Sequence, residues 1–297
     1  MKFKRTTAQM NWIYAWLLLS PALIMLFAFT HYPAIVTLIS SFFSTPRGKR
    51  PAKFIGLENY QALLNDEVFW QVIWNNLLYA LATIPISVAI ALVMALWVNG
   101  KLRGLGFLRM AYFTPTVLPL IAVANIWLFF YTPGFGLIDQ IRNGLFGLPD
   151  QNLLGQSDTV LWAVMAVAIW KEAGFFMIFY LAALQTIPPS LKEAADIEGA
   201  SRWTFFRRII FPLLMPTTLF VSVNAVINAF RLVDHIFVMT GGGPDNASTL
   251  LLFYIYEQAF KYWQTGYAAT LTVVLLALLC VLAIGQFFFL DRKVHYR

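Results

Sequence analysis

Charge and cysteine are the two things this sequence has least of. Only 12% of its 297 residues are charged, whereas 60% are apolar. Water-soluble chains run nearer about 25% charged and roughly 45–50% apolar, so water is not the main solvent here. Cys280 is the single cysteine, which excludes an internal disulfide and a cysteine-based metal site. Lying in an apolar run, it reads as a small buried apolar residue. The three histidines, His31, His235 and His295, are too dispersed to suggest a metal site, and no H-E-x-x-H occurs. No G-x-x-x-x-G-K-[S/T] is present, so the chain does not itself cradle nucleotide phosphates. Nor does a G-x-S-x-G elbow accompany its serines. The absences leave no catalytic residue, metal or cofactor to assign to this chain. The net charge of +7 comes from short basic clusters scattered between apolar runs. No basic face with interleaved stacking aromatics emerges, so nucleic acid is not an expected partner.

What the sequence does have is long apolar runs. A membrane-spanning helix needs about 20 predominantly apolar residues. Six segments qualify: about 12–43, 75–99, 106–131, 159–185, 212–239 and 266–290. The expected fold is therefore all-α, a polytopic membrane protein with six transmembrane helices and, over 1–297, a single membrane domain. The basic amino-terminal residues before the first run resemble a signal peptide, but the run is long and no convincing cleavage site follows, so an uncleaved first span is expected. Pro21 and Pro33 should kink or interrupt that span, and Pro85, Pro115 and Pro119 should interrupt theirs. With the amino terminus inside, thirteen Lys and Arg fall in inner segments and six in outer ones. That imbalance places both termini in the cytoplasm of a multi-pass protein. The cluster Arg47, Lys49, Arg50 and Lys53 is a local exception on the outer side. The rest of that outer loop, about 44–74, should form short amphipathic helices on the membrane surface.

The inner connection between spans four and five, residues 188–212, is the most informative stretch. After Pro188-Pro189, Ser190 can cap a short helix and Glu193 can return the bond, the capping-box pattern. Gly199 suits the left-handed residue that ends such a helix. Ser201 can cap a second one, and Pro212 then opens span five. A helix-turn-helix standing on the cytoplasmic face is expected.

This loop resembles that of the inner-membrane permeases of binding-protein-dependent ABC importers, which reads E-A-A, three residues, G, nine residues, I-x-L-P. Here Glu193-Ala194-Ala195, Gly199, Ile209 and Pro212 stand at that spacing, with Phe211 where the pattern prefers Leu. The resemblance implies that these residues couple the chain to an ATPase subunit by docking into a cleft on it. Asn228-Ala229-Phe230, Val233-Asp234 and Thr240-Gly241-Gly242-Gly243-Pro244 resemble the end of span five in the sugar and glycerol-3-phosphate branch. The glycine run reads as a tight turn leaving the membrane. The ending Asp291 to Arg297 resembles the first of the two permeases such importers carry. The resemblance further implies a bacterial cytoplasmic (inner) membrane location, a second homologous permease, two ATPase subunits holding ATP and Mg, and an extracytoplasmic substrate-binding protein. Alternating access would then carry a sugar, polyol, glycoside or glycerol phosphate inward through lipid-embedded helices.

Polar residues inside spans should face an interior or a cavity. Thr217, Asn224, Asn228, Arg231 and His235 share a helical stripe about 60° wide. It either lines a translocation path or glues helices together, with Arg231 and Asp234 pairing at i, i+3. His235, near the outer end, reads as interfacial. Lys171 and Glu172 in span four form a second candidate group, and Trp170 beside them can either stack on a sugar ring or pack. An ion-coupled secondary transporter is the alternative; it predicts an inverted repeat, and it leaves the 188–212 loop unexplained.

Overall fold

The computed structural model describes residues 3–46, 48–100 and 104–291. Arg47, Lys101, Arg103 and the ending 292–297 therefore lie outside the described residues, as does Lys2. In chain order the helices are α1 (Phe3–Leu26), α2 (Tyr32–Ser40), α3 (Glu58–Leu64), α4 (Glu67–Val98), α5 (Leu105–Val117), α6 (Leu120–Phe130), α7 (Leu137–Phe146), α8 (Ser157–Thr186), α9 (Pro189–Ile197), α10 (Arg202–Phe205), α11 (Phe211–Leu213), α12 (Met215–Arg231), α13 (Asp234–Met239), α14 (Leu251–Tyr256) and α15 (Thr265–Asp291). Wider π turns occupy Phe27–His31, Phe206–Ile210 and Glu257–Lys261. Among the described residues no strand forms, and one isolated bridge joins Phe43 to Phe54. The chain divides into two compact units, Met1–Asn65 with Ile255–Val274, and Asp66–Tyr254 with Leu275–Arg297.

In the first unit, the apolar stretch Tyr14–Ser40 runs as one span. Pro21 lies inside α1 without ending it. Pro33 has no N–H to give back to the preceding turn, and the chain widens just before it: Tyr32 N–H donates to the Phe27 carbonyl five residues back. The segment beyond α2 is tied by Asn59, whose Nδ2 donates to the carbonyls of Ser41 at 2.9 Å and Phe43 at 3.0 Å. Gly266 N–H donates to Thr45 Oγ1 at 3.0 Å, fastening the same segment to the start of α15. Helix α3 matches the short helix expected in the 44–74 loop. The stretch after it does not: Asp66 caps Val68 N–H at 2.9 Å and α4 begins at Glu67. Residues 67–74 are thus the first two turns of a long span, because a good N-cap lies eight residues ahead of the apolar run.

In the second unit, α4 and α8 pack along one another and enclose a core that includes Ala91, Ala95, Phe176, Met177, Tyr180 and Leu214, joined by Val221 and Ala225 of α12. Alanines on α4 let the helices approach closely, as is usual where lipid supplies no drive for helix association. Pro85 lies within α4, which continues through it instead of being interrupted. Pro115 is likewise inside α5. The interruption falls at Pro119: Leu118 is forced into extended conformation by the proline after it, and α5 and α6 meet at 103°. The expected third span is therefore a sharply broken pair. Among the described residues five helical stretches are long and apolar enough to cross a membrane by themselves, and six segments result when the broken pair is taken as one. The fifth span covers Met215–Met239, starting three residues after Pro212, and it parts at Leu232–Val233 between α12 and α13.

Candidate functional site

The loop 188–212 is two short helices separated by a sharp stop. Pro188 is extended, as the residue before a proline must be, and Pro189 opens α9. The capping box expected of Ser190 and Glu193 is absent: the cap position belongs to Pro188, with no side-chain cap bond, because the helix starts two residues earlier than a Ser190 cap would set it. The stop is as expected. Gly199 adopts φ +69°, Ala200 N–H donates to the Ala195 carbonyl at 2.9 Å, and Gly199 N–H donates to Asp196 at 3.2 Å. These are the paired bonds of a Schellman ending. Ser201 Oγ then accepts Thr204 N–H at 3.1 Å and starts α10.

Of the motif residues, Ala195 is buried, Glu193, Ala194, Gly199 and Pro212 are exposed, and Ile209 is half-buried. Two apolar side chains that the motif does not contain stand out here: Ile197 is 88% exposed and Trp203 67% exposed. An isoleucine so exposed, on the last turn of a helix tied to its neighbour by Gly199, is a ready anchor for another protein.

The intramembrane candidates separate into three groups. Glu172 and Asn228 come together: Asn228 Nδ2 donates to Glu172 Oε2 at 2.6 Å, linking α8 to α12. Beside them, Tyr79 OH and His235 Nε2 share a hydrogen bond of 3.1 Å. His235 is fully buried, not interfacial: α13 packs against α6 and α8, and the imidazole reaches the Tyr79 hydroxyl of α4. These four side chains line a cavity of about 20 Å³. Ligand pockets run to roughly 300–1,000 Å³, so this enclosed space does not admit a sugar.

Lys171 does something else. Its ammonium donates to the carbonyls of Pro115 at 2.9 Å, Thr116 at 3.3 Å and Leu118 at 2.7 Å. Those are carbonyls that the break at Pro119 leaves without intrahelical partners, and a cation there also complements the negative end of α5. Three residues along the same face of α8, Gly174 lets the α5 backbone approach so closely that a Cβ would collide with the Tyr112 carbonyl. Helix α8 thus holds the broken span by one long cation and one missing side chain.

Arg231 and Asp234 are exposed and, among the described residues, form no ion pair. The i, i+3 pairing fails because the helix does not continue between them. Arg231 instead ends α12 and Asp234 begins α13, each at the helix end whose dipole suits its charge. Asn224 is half-buried and returns Nδ2 to the Phe220 carbonyl of its own helix at 2.8 Å. Trp170 packs edge-on against Trp127, with ring centroids 5.6 Å apart. Cys280 is exposed, contrary to its buried reading.

Asn75 and Asn76 were not singled out, although an adjacent amide pair at the start of a span is itself a signal. Asn75 Nδ2 donates to the carbonyls of Asn246 at 2.8 Å and Thr249 at 3.2 Å, and Asn76 Oδ1 accepts Leu251 N–H at 2.9 Å. They staple the glycine turn, in which Gly241 and Gly242 have φ +56° and +85°, to the side of α4.

Comparison with known proteins agrees with this arrangement. Residues 69–296 match the family model described as binding-protein-dependent transport system inner membrane component. The chain is 35% identical over 270 residues to the sulfoquinovosyl glycerol transport system permease of Agrobacterium fabrum, covering 90% of this chain and 87% of that one. It is 34% identical over 285 residues to the lactose transport system permease of Rhizobium radiobacter, covering 92% of each. Its fold matches a chain in the crystal structure of a bacterial ABC transporter that imports the acidic polysaccharide alginate, with a TM-score of 0.83 at 23% identity over 98% of this chain and 99% of that one. The chain belongs to the family of binding-protein-dependent inner membrane transport components, the permease subunits of ABC importers.

Proposed function

We propose that this permease carries a sugar, glycoside or related polyhydroxylated solute into the cytoplasm, working as one transmembrane domain beside a second, homologous permease. Both termini lie inside, so the 188–212 loop faces the cytoplasm. There α9, with Glu193, Ala194 and Ala195, docks into a cleft on one of two ATPase subunits, and Gly199, Ile209 and Pro212 fix the turn and its return to span five. ATP and Mg are held in those partners, and this chain supplies no hydrolytic group. An extracytoplasmic binding protein delivers the solute. ATP binding and the loaded binding protein favour different states of one two-state device, and their difference in affinity drives the alternation.

The observation that carries this reading is the exposed Ile197 on a short helix ended by a Schellman turn, at the family's loop position. For the solute, Arg231, Asp234 and Asn224 are the better candidates of the set, because Arg231 and Asp234 remain unpaired at the break of span five, where interrupted helices offer polar ends to ligands. Glu172, Asn228 and Lys171 are spent on holding helices together, and Trp170 on packing. The range of solutes named for the relatives keeps a neutral and an acidic sugar equally open.

Gly199→Arg tests the docking. A Cβ at Gly199 meets no atom within 4 Å, so the substitution costs only the left-handed backbone, about 1–2 kcal/mol, and leaves the rest of the chain intact. In proteoliposomes holding the complete complex, uptake should fall at least tenfold while the complex still assembles. Undiminished uptake, or uptake driven by an ion gradient without ATP, would overturn the reading.

A further inference from the structure

The basic cluster beyond α2 breaks the charge pattern of the chain and lies outside the residues proposed above for coupling and for the solute. In the first unit, Arg50 and Lys53 line a groove of about 850 Å³ together with Asn59, Tyr262, Trp263 and Gln264. No carboxylate lines it, and among the described residues neither cation forms an ion pair. Lys261 nearby is already engaged by Glu257 at 2.8 Å. Trp263 holds φ +56°, a conformation that costs a bulky residue, and its ring is 72% exposed at the groove. It immediately precedes Gln264 and the start of α15, so it sits at the end of a membrane span, the level where indoles meet lipid headgroups.

A second groove, of about 650 Å³, adjoins the first and shares Ser44 and Pro46 with it. Its walls come from α2 and α15, both within spans, and from the turn before α15; Ile39, Phe43, Ala259, Phe260 and Ala268 give it an apolar lining. The two grooves together present cations and amides at the span end and a greasy channel running into the span.

We propose that this pair of grooves is a binding site for an anionic phospholipid, with the phosphate between Arg50 and Lys53 and one acyl chain in the lower groove. The head-and-tail pairing selects that ligand class. A soluble anion or a sugar would leave Ile39, Phe43, Phe260 and the other apolar side chains of the second groove without a partner. The proposed orientation puts the site in the leaflet away from the cytoplasm, where positive charge is otherwise sparse in this chain, but the site itself does not depend on that orientation.

The test is native mass spectrometry of the complete importer in mild detergent, titrated with phosphatidylglycerol and, separately, phosphatidylcholine of the same acyl chains. Phosphatidylglycerol should be retained preferentially. The exposed pair Arg50→Gln with Lys53→Gln should weaken its retention roughly 30-fold, at about fivefold per basic residue, down to the phosphatidylcholine level. Ala259→Trp, which fills the lower groove and leaves both charges in place, should lower retention of both lipids. Equal retention of the two lipids by the unaltered complex, or unchanged phosphatidylglycerol retention in the double variant, would overturn the proposal. Displacement of the lipid by millimolar inorganic phosphate would also overturn it, in favour of a site for soluble anions.

Discussion

Lys171 offers the sharpest division between two roles. As a ligand for an anionic solute, its ammonium would be free to meet that solute. The structure instead aims it at three backbone carbonyls of the broken third span, at 2.9, 3.3 and 2.7 Å. Lys171→Met keeps the length and the apolar stem but removes every donor. A buried acceptor left unmet costs about 1–3 kcal/mol. The Pro115 and Thr116 contacts are part-buried and the Leu118 contact is exposed, so the first two set the cost. Against the two losses stands the relief of desolvating an ammonium, which leaves a net cost of about 3 kcal/mol, with the lost dipole contact of α5 included. Lys171→Arg keeps the charge, but a planar fork cannot converge on three carbonyls of one turn as a rotating ammonium does, so it should recover only part of the loss. Thermal stability of the detergent-solubilised complex, followed by size exclusion, should fall in the order wild type, Arg, Met. Uptake should show a reduced maximal rate at unchanged half-saturation for the loaded binding protein. A Met variant as stable as wild type, with half-saturation raised tenfold or more, would refute the clamp and restore Lys171 to the solute path.

Other predictions follow from the same contacts. Glu172→Ala and Asn228→Ala should each destabilise, and a double-mutant cycle should return a coupling of about 1.5–3 kcal/mol, as for a hydrogen bond to a charged group; additivity within about 0.5 kcal/mol would show that the 2.6 Å contact contributes nothing. Gly174→Ala should cost about 1–3 kcal/mol by forcing α5 away from α8, and pairing it with Lys171→Met should cost less than the sum, since both act on one contact; thermal midpoints of the three variants decide it. Asn76→Ala leaves the buried Leu251 N–H without its acceptor, so about 1–3 kcal/mol should be lost and proteolysis near 240–250 should accelerate, whereas an unchanged cleavage rate would mean the loop does not depend on α4.

The spans and the two short helices of the 188–212 loop could be read from the sequence because each rests on local physics. Twenty apolar residues announce a membrane helix wherever they occur, and Gly199 ends α9 through its own backbone freedom. What escaped was every feature decided by a neighbour. Pro85 and Pro119 look alike in the sequence, yet α4 runs through one and the chain bends by 103° at the other. The difference is that at Pro119 a lysine from α8 donates to the freed carbonyls of Pro115, Thr116 and Leu118, as irregular backbone at membrane depth requires. The polar stripe of span five held only in part. Its angles assumed one continuous helix; Asn228 and His235 do line one cavity, but the break at Leu232–Val233 separates Arg231 from Asp234. Intramembrane polarity therefore marked the right helices but gave the wrong partners. Lys171, Glu172 and Asn228 are first ties between helices, whereas Arg231 and Asp234, without an ion pair among the described residues, stand where span five comes apart. That is why the proposed search for the solute begins at the break of span five and not at the tied residues.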